Sequence, residues 1–397
     1  MTIKHLYPTV TPSLNLDFAN SKKLDPRIDF QRASIGTYVG ASGLIEYAAA
    51  GEARFDHDGD GNSLGLLVEE SRINYALYSE SPSNWGVFSS NGEALPTITP
   101  NFLDPSGQMN AGRFQGVRAG TGLVRLVFPT SATLPNPHDV IYSVWLKSNT
   151  GANQNIRLFI PVAATIVEVT PEWKRFNCPV RTASSTSEYI ALEMDGFTSQ
   201  NCDILVWAPQ LEVGTFPTSY IPTSGSTVTR AADVASITGS NFSSWYNQSE
   251  SSFFSQYTPA AGYGEIKFWD GLGNNLNYWS TGANSTAGGV FNFLTRSNQG
   301  STSGTFYRGR IEDSTNYGYV IKHAAAIADN DFACYTSSSS GDVNLNTGSA
   351  IPATGGYLPP LVDRLILTNN LTGVIRLSRL TYYPQRLPDS VLQSLTL

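Results

Sequence analysis

Hydrophobic and polar residues alternate along this chain in short runs, broken every few positions by Ser, Thr, Asn or Gly. A period of two places successive side chains on opposite faces of a strand, whereas the 3.6-residue period of a helix is almost absent. Residues 139–146 show the pattern best. Val140, Tyr142, Val144 and Leu146 share one face, while Ile141 and Trp145 lie opposite, so this strand is expected to be covered on both sides. Similar segments at 123–128, 155–160, 173–176, 189–194 and 202–207 complete the strongest series, enough for one two-layer sandwich.

The pattern divides the chain into three. Residues 1–74 read as extended segments and hairpins, with Gly40-Ala41-Ser42-Gly43 as a turn between 37–39 and 44–47. This part is too thin to hold a large core alone and is expected to pack on a neighbouring domain, another subunit or a larger assembly. Residues 75–229 form the first sandwich. Pro217 and Pro222 interrupt pairing after it, because proline lacks a ladder donor. Residues 230–397 form a second sandwich that starts at 252–257 and ends in three strands, 362–367, 373–377 and 378–383. A short helix at 388–395 closes the chain, with Pro388 at its start and Val391, Leu392 and Leu395 on one side. The fold class is therefore all-β, with two β-sandwich (jelly-roll) domains preceded by an extended N-terminal docking region.

Composition narrows the function. Charged residues make up 14% of the 397, aromatic residues 11%, and the formal net charge is −7. Few charges with many aromatic residues favour a folded chain over a disordered one. An acidic balance offers no broad basic surface to a phosphate backbone, so nucleic acid is not an expected partner. No apolar run reaches membrane-spanning length, and residues 1–10 carry no run of signal-peptide type, so neither membrane insertion nor classical export is expected. Cys178, Cys202 and Cys334 are too scattered for a disulfide framework or a zinc site, and the four histidines share no ligand spacing.

Candidate chemistry is sparse. Asp56, Asp58 and Asp60, followed by Gly61, match the first half of a calcium loop, but its twelfth position is Leu67 instead of a bidentate Glu. A bend rich in Asx turns accounts for the same residues, so no cofactor is expected beyond, at most, a weak structural calcium ion. Acids such as Glu168, Glu193, Glu265 and Asp270 are available for glycoside hydrolysis, but no spacing marks any two as a pair. Gly-x-Ser-x-Gly and phosphate-cradling loops are missing. No catalytic residue is assigned. The best mixture of aromatic planes and amides is Trp269, Asp270, Asn274, Asn275, Tyr278 and Trp279. There a sugar ring could stack its C–H face while its hydroxyls take directional bonds, although most tryptophans in a sandwich serve the core.

Several segments also carry a resemblance. Phe30-Gln31-Arg32-Ala33-Ser34, Thr37-Tyr38-Val39, Gly43-Leu44-Ile45 and Glu52-Ala53-Arg54-Phe55-Asp56-His57-Asp58 resemble the opening of a family of bacteriophage and prophage virion proteins. Leu64 to Asn74, running into Tyr78-Ser79-Glu80, continues the likeness. A jelly roll similar to carbohydrate-binding modules comes next, closing on Ile204 to Gly214, Pro217 to Thr223 and Val228 to Asp233. The last region resembles a concanavalin/laminin-G-type sandwich through Ile375-Arg376 and Tyr382 to Leu387. Asp58-Gly59-Asp60-Gly61-Asn62 departs from the looser turn of that family.

The resemblance implies a non-enzymatic tail-fibre, knob or head-fibre-like part of a phage particle, made in the host cytoplasm and exposed on the virion. Its partners would be other virion proteins and sister subunits, as a homo-oligomer such as a trimer, with weak adhesion to host-surface polysaccharide. The alternatives are a virion-associated polysaccharide depolymerase and a purely architectural virion protein without a ligand.

Overall fold

In the strand His138–Ser148, Val140, Tyr142, Val144 and Leu146 are fully buried on one face, as the period-two pattern requires. The computed structural model describes residues 10–131, 134–135, 138–183, 188–269, 278–284, 290–297, 304–312, 320–328, 331–339, 343–346 and 361–397. Its regular structure is almost all strand.

The first sandwich holds a six-stranded and a five-stranded antiparallel sheet. In hydrogen-bonded order the larger runs Lys174–Asn177, His138–Ser148, Asn201–Val213, Ala111–Val117, Thr97–Phe102, with Arg181–Ala183 also against His138–Ser148. The smaller runs Thr165–Val169, Gln154–Phe159, Ile190–Met194, Val124–Phe128, Gly86–Ser89. Phe114, Tyr142 and Val206 from one sheet meet Leu126, Phe128, Ile156 and Leu192 from the other in a single apolar core. The strands expected from alternation are present, most of them shifted by a residue at an end.

The outer faces of the two sheets differ. On the six-stranded sheet, Trp207 is fully buried under Tyr220 and the hairpin Gly36–Val39/Ile45–Ala48, whose Ile45 and Val39 pack on it. Trp145 joins this outer cluster, so the strand His138–Ser148 is covered on both sides as expected. On the five-stranded sheet, Phe88 and Ile166 are both 44% exposed.

The second sandwich corrects one expectation. The segment expected to form three strands over 362–383 is one strand, Arg364–Tyr383, paired along most of its length with another long strand, Ser251–Trp269. Register shifts at Gln256/Tyr257, Pro259/Ala261 and Tyr263/Glu265 let the long pair bend. Polar residues and Gly373 in the middle of Arg364–Tyr383 mimic turns in the sequence. Pro259 sits at one of the shifts, where its missing donor matters least. The first half of Ser251–Trp269 pairs Ile321–Ala328, and its second half pairs Tyr278–Asn284.

The other edge of Arg364–Tyr383 is completed by the N-terminal part of the chain. Leu14–Asp17 pairs residues 379–382, and Ser63–Glu69 pairs residues 374–377. Leu14, Leu16, Phe18, Leu66 and Val68 thereby enter the same core as Phe253, Tyr257, Phe268 and Tyr382. Of the neighbours expected for these segments, the structure shows the adjoining domain: strand pairing builds them into the second sandwich. Gly65 makes this possible: its φ is +95°, and a Cβ there would lie 2.2 Å from the Leu377 carbonyl oxygen. The closing helix, Asp389–Thr396, lies where expected and packs Leu392 with Val391 and Leu395 on the outer cluster around Tyr335 and Tyr383.

Ion pairs join the first and third regions, and hydrogen bonds of Ser219 bring in the middle one. Arg54 is fully buried and gives Nη1 to Glu69 Oε2 at 2.7 Å and to Ser219 Oγ at 2.8 Å, with Nη2 on Asp233 Oδ2 at 2.6 Å. Arg32 reaches the other Asp233 oxygen at 3.1 Å. Burial raises the Glu69 carboxyl pKa, but Arg230, Arg54 and the Ser219 bonds outweigh it and hold it well below the usual carboxylate range. Asn74 adds a neutral clasp, donating to the Ile221 carbonyl at 2.8 Å. Arg54, Glu69, Asn74, Ser219, Tyr220 and Asp233 all belong to the segments that carry the resemblance, and they build this joint.

Candidate functional site

Strand alternation decides what the free face of the five-stranded sheet presents. Val124, Leu126 and Phe128 point into the core, so Arg125 and Val127 point out. By the same rule Glu193 and Ala191 face outward from Ile190–Met194, and Arg157 and Phe159 from Gln154–Phe159. The register sets Phe88, Arg125, Glu193 and Arg157 side by side across four strands. The next row is Val127, Ala191 and Phe159, with Ala191 fully covered at its centre.

Within this face the Arg125 guanidinium lies among three aromatic rings. Its carbon is 4.8 Å from the Phe159 centroid, 5.7 Å from Phe88 and 6.0 Å from Tyr189. The Phe159 and Tyr189 rings are 5.4 Å apart, and Arg125 Nη1 donates to Tyr189 Oη at 3.2 Å. Glu193, only 1% exposed, fixes the arginine from beneath. Its second oxygen accepts from Arg157 Nη1 at 3.1 Å, and the same nitrogen reaches Asp195 Oδ2 at 2.7 Å. Cation–π attraction and a buried counter-ion therefore hold rings and guanidinium in one arrangement. Phe88 and Tyr189 stay 44% and 38% exposed, an apolar surface beside fixed donors. Such a surface suits a ligand with one C–H face and several hydroxyls. Both Glu193 oxygens are taken by guanidinium groups, which leaves neither oxygen free to attack or to relay a proton.

The residues singled out in the sequence lie elsewhere. Trp269 ends the strand Ser251–Trp269, partly buried, with Lys267 Nζ 4.9 Å from its ring centroid. Strand pairing sets Tyr278 opposite Trp269 and Trp279 opposite Phe268 in backbone register. Asp270, Asn274 and Asn275 lie outside the described residues.

The three acids of the turn do not converge. Asp56 turns into the joint, accepting from the Val39 N–H at 2.8 Å and from Arg376 Nε at 2.5 Å. Asp58 closes its own turn, accepting from the Asn62 N–H at 2.8 Å, the Asp60 N–H at 3.0 Å and the Asn62 side chain at 3.0 Å. These bonds hold its carboxyl below the usual range. Asp60 is exposed. Strand geometry separates Asp56 from the other two, and among the described residues no three acids, histidines or cysteines are placed to hold a metal ion. The three cysteines are buried and form no disulfide among the described residues, and burial pushes the Cys178 thiol up to about 12.

Sequence reasoning missed the Arg125 face because its members come from four strands spread over a hundred positions. The available signal was the outward parity of Arg125, Arg157 and Phe159 in strands whose inward residues alternation identifies.

No family model and no curated protein matches the chain. Solved structures similar to it include the N-terminal CBM22-1-CBM22-2 tandem domain of Xyn10C from Paenibacillus barcinonensis. That domain is 9% identical, with 79% of this chain and 98% of that chain covered and a TM-score of 0.28. The sialidase of Trypanosoma rangeli is 10% identical over 93% of this chain and 77% of its own, with a TM-score of 0.28. Xylan beta-1,4-xylosidase from Bacillus halodurans is 8% identical over 90% and 84%, with a TM-score of 0.24. Fold likeness at this level carries neither a ligand nor a reaction across to this chain.

Proposed function

We propose that the protein is a non-enzymatic structural part of a bacteriophage particle, exposed on the virion, whose first sandwich adheres weakly to host-surface glycans. The observation that carries the adhesive reading is the Phe88–Arg125–Phe159–Tyr189 face, with its guanidinium fixed by the buried Glu193. The virion role rests on the resemblance in residues 30–80 and 204–233. The joint built from those residues supports it, because a part that bears load between particle and host benefits from sandwiches locked to the N-terminal segment. Other virion proteins and sister copies in a closed oligomer, such as a trimer, are the partners this reading requires. Single contacts of about 1 kcal/mol per ring are weak, and repetition over the particle supplies avidity.

Immunogold labelling of purified particles, with antibody raised against the whole chain, tests the assignment. Label on the particle exterior is the expected result. Particles that contain no copy of the chain contradict it.

A further inference from the structure

Where the N-terminal segment meets both sandwiches, the packing leaves a cavity of about 190 Å³. Tyr38 and Asp56 of the N-terminal strands, Trp145 and Arg175 of the six-stranded sheet, Ser219 of the connecting segment and Arg376 of the long strand line it. It is smaller than the roughly 300–1,000 Å³ of drug-sized sites, and so suits a molecule of one sugar ring.

The charges around it are unevenly matched. Asp56 is engaged by Arg376 Nε at 2.5 Å, while the Arg376 side chain keeps 25% of its surface exposed. Glu69, also in the wall, is saturated by Arg54 and by the Ser219 N–H and hydroxyl. Arg175 has only neutral acceptors: the Thr218 carbonyl at 2.5 Å and Ser143 Oγ at 2.9 Å. It forms no ion pair among the described residues. The acids that act on it from a distance, Glu212 and Glu69, are both committed to other donors. A partly buried guanidinium whose direct hydrogen bonds go only to neutral acceptors, with its Nε unpartnered, has donors to offer an incoming anion.

We infer that this cavity binds a small carboxylate-bearing sugar of the uronic acid class, with the carboxylate between Arg175 and Arg376 and the sugar ring against Trp145. The site is separate from the Arg125 face, and the inference does not rest on the adhesive reading.

The test titrates the whole chain, carrying ¹⁵N-labelled tryptophan, with sodium glucuronate, glucose and sodium acetate in parallel. The Trp145 indole resonance, assigned through Trp145→Phe, is expected to shift saturably with glucuronate. Glucose and acetate should bind at least about tenfold more weakly. Arg175→Gln should weaken glucuronate at least about tenfold. If Arg175→Gln does not fold, Arg175→Lys replaces it, with a several-fold loss expected from the missing fork. No saturable shift, equal binding of glucose or acetate, or a folded Arg175 variant with unaltered affinity overturns the inference.

Discussion

Arg54 and Asp233, 179 positions apart, meet at 2.6 Å with both side chains fully buried. Through the same guanidinium Arg54 also reaches Glu69 and Ser219, so one side chain ties the N-terminal strands to the segment that leaves the first sandwich and to Asp233, just ahead of the strand Val234–Thr238. Such a pair is not a large source of stability in itself. Its importance emerges when one member is removed and the other is left buried without a counter-ion.

Arg54→Met should destabilise the protein by about 3–5 kcal/mol, because Glu69 and Asp233 would be left as buried carboxylates with fewer cations. Urea unfolding measures this. A loss below about 1 kcal/mol would mean that water or rearranged arginines replace the guanidinium, and that the joint is looser than its distances imply.

Gly65 and Gly51 separate two effects. Both have positive φ, +95° and +75°, but a Cβ at Gly65 would collide with the Leu377 carbonyl while Gly51 faces open space. Gly51→Ala should cost only the backbone strain, about 1–3 kcal/mol. Gly65→Ala should cost clearly more and should loosen the pairing of Ser63–Glu69 with residues 374–377. Hydrogen exchange at those strand amides reads the second effect, and equal behaviour of the two variants would contradict it.

His323 gives the second sandwich an acid limit. Its Nε2 faces Tyr257 Oη at 3.0 Å and its Nδ1 faces Thr336 Oγ1 at 2.7 Å, and burial lowers its pKa from 6.5 to about 3. The unfolded chain therefore binds this proton at a higher pH than the folded one. The contribution is fully present above pH 6.5 and is lost as pH falls toward 3. The slope approaches about 1.4 kcal/mol per pH unit from this group alone. His323→Gln should flatten that part of the stability profile measured by urea unfolding at stepped pH. An unchanged slope would assign the acid sensitivity to other groups.

Much of the architecture is legible in the sequence, because alternation shows directly which strands are half-buried and Pro388 marks the last helix. The second sandwich is less so. Bends in Ser251–Trp269 and Arg364–Tyr383 come from register shifts between partners more than a hundred residues apart, and no local pattern shows them. Likewise Leu14–Asp17 and Ser63–Glu69 find their partners at the far end of the chain, so the N-terminal part looks detachable until pairing is known. Motif residues such as Arg54 and Asp233 stand out in the sequence, but only burial shows that they bind one another. The Arg125 face was hidden for the opposite reason, since each of its residues is an ordinary outward position on its own strand.

Adhesion through the Arg125 face is tested most directly by equilibrium binding of the purified chain to host-surface polysaccharide, with Phe159→Ala and Tyr189→Ala measured alongside. The account predicts saturable binding without release of reducing ends, weakened about fivefold by each substitution, the equivalent of about 1 kcal/mol per ring. Binding that is absent, or that survives both substitutions intact in folded protein, would contradict it.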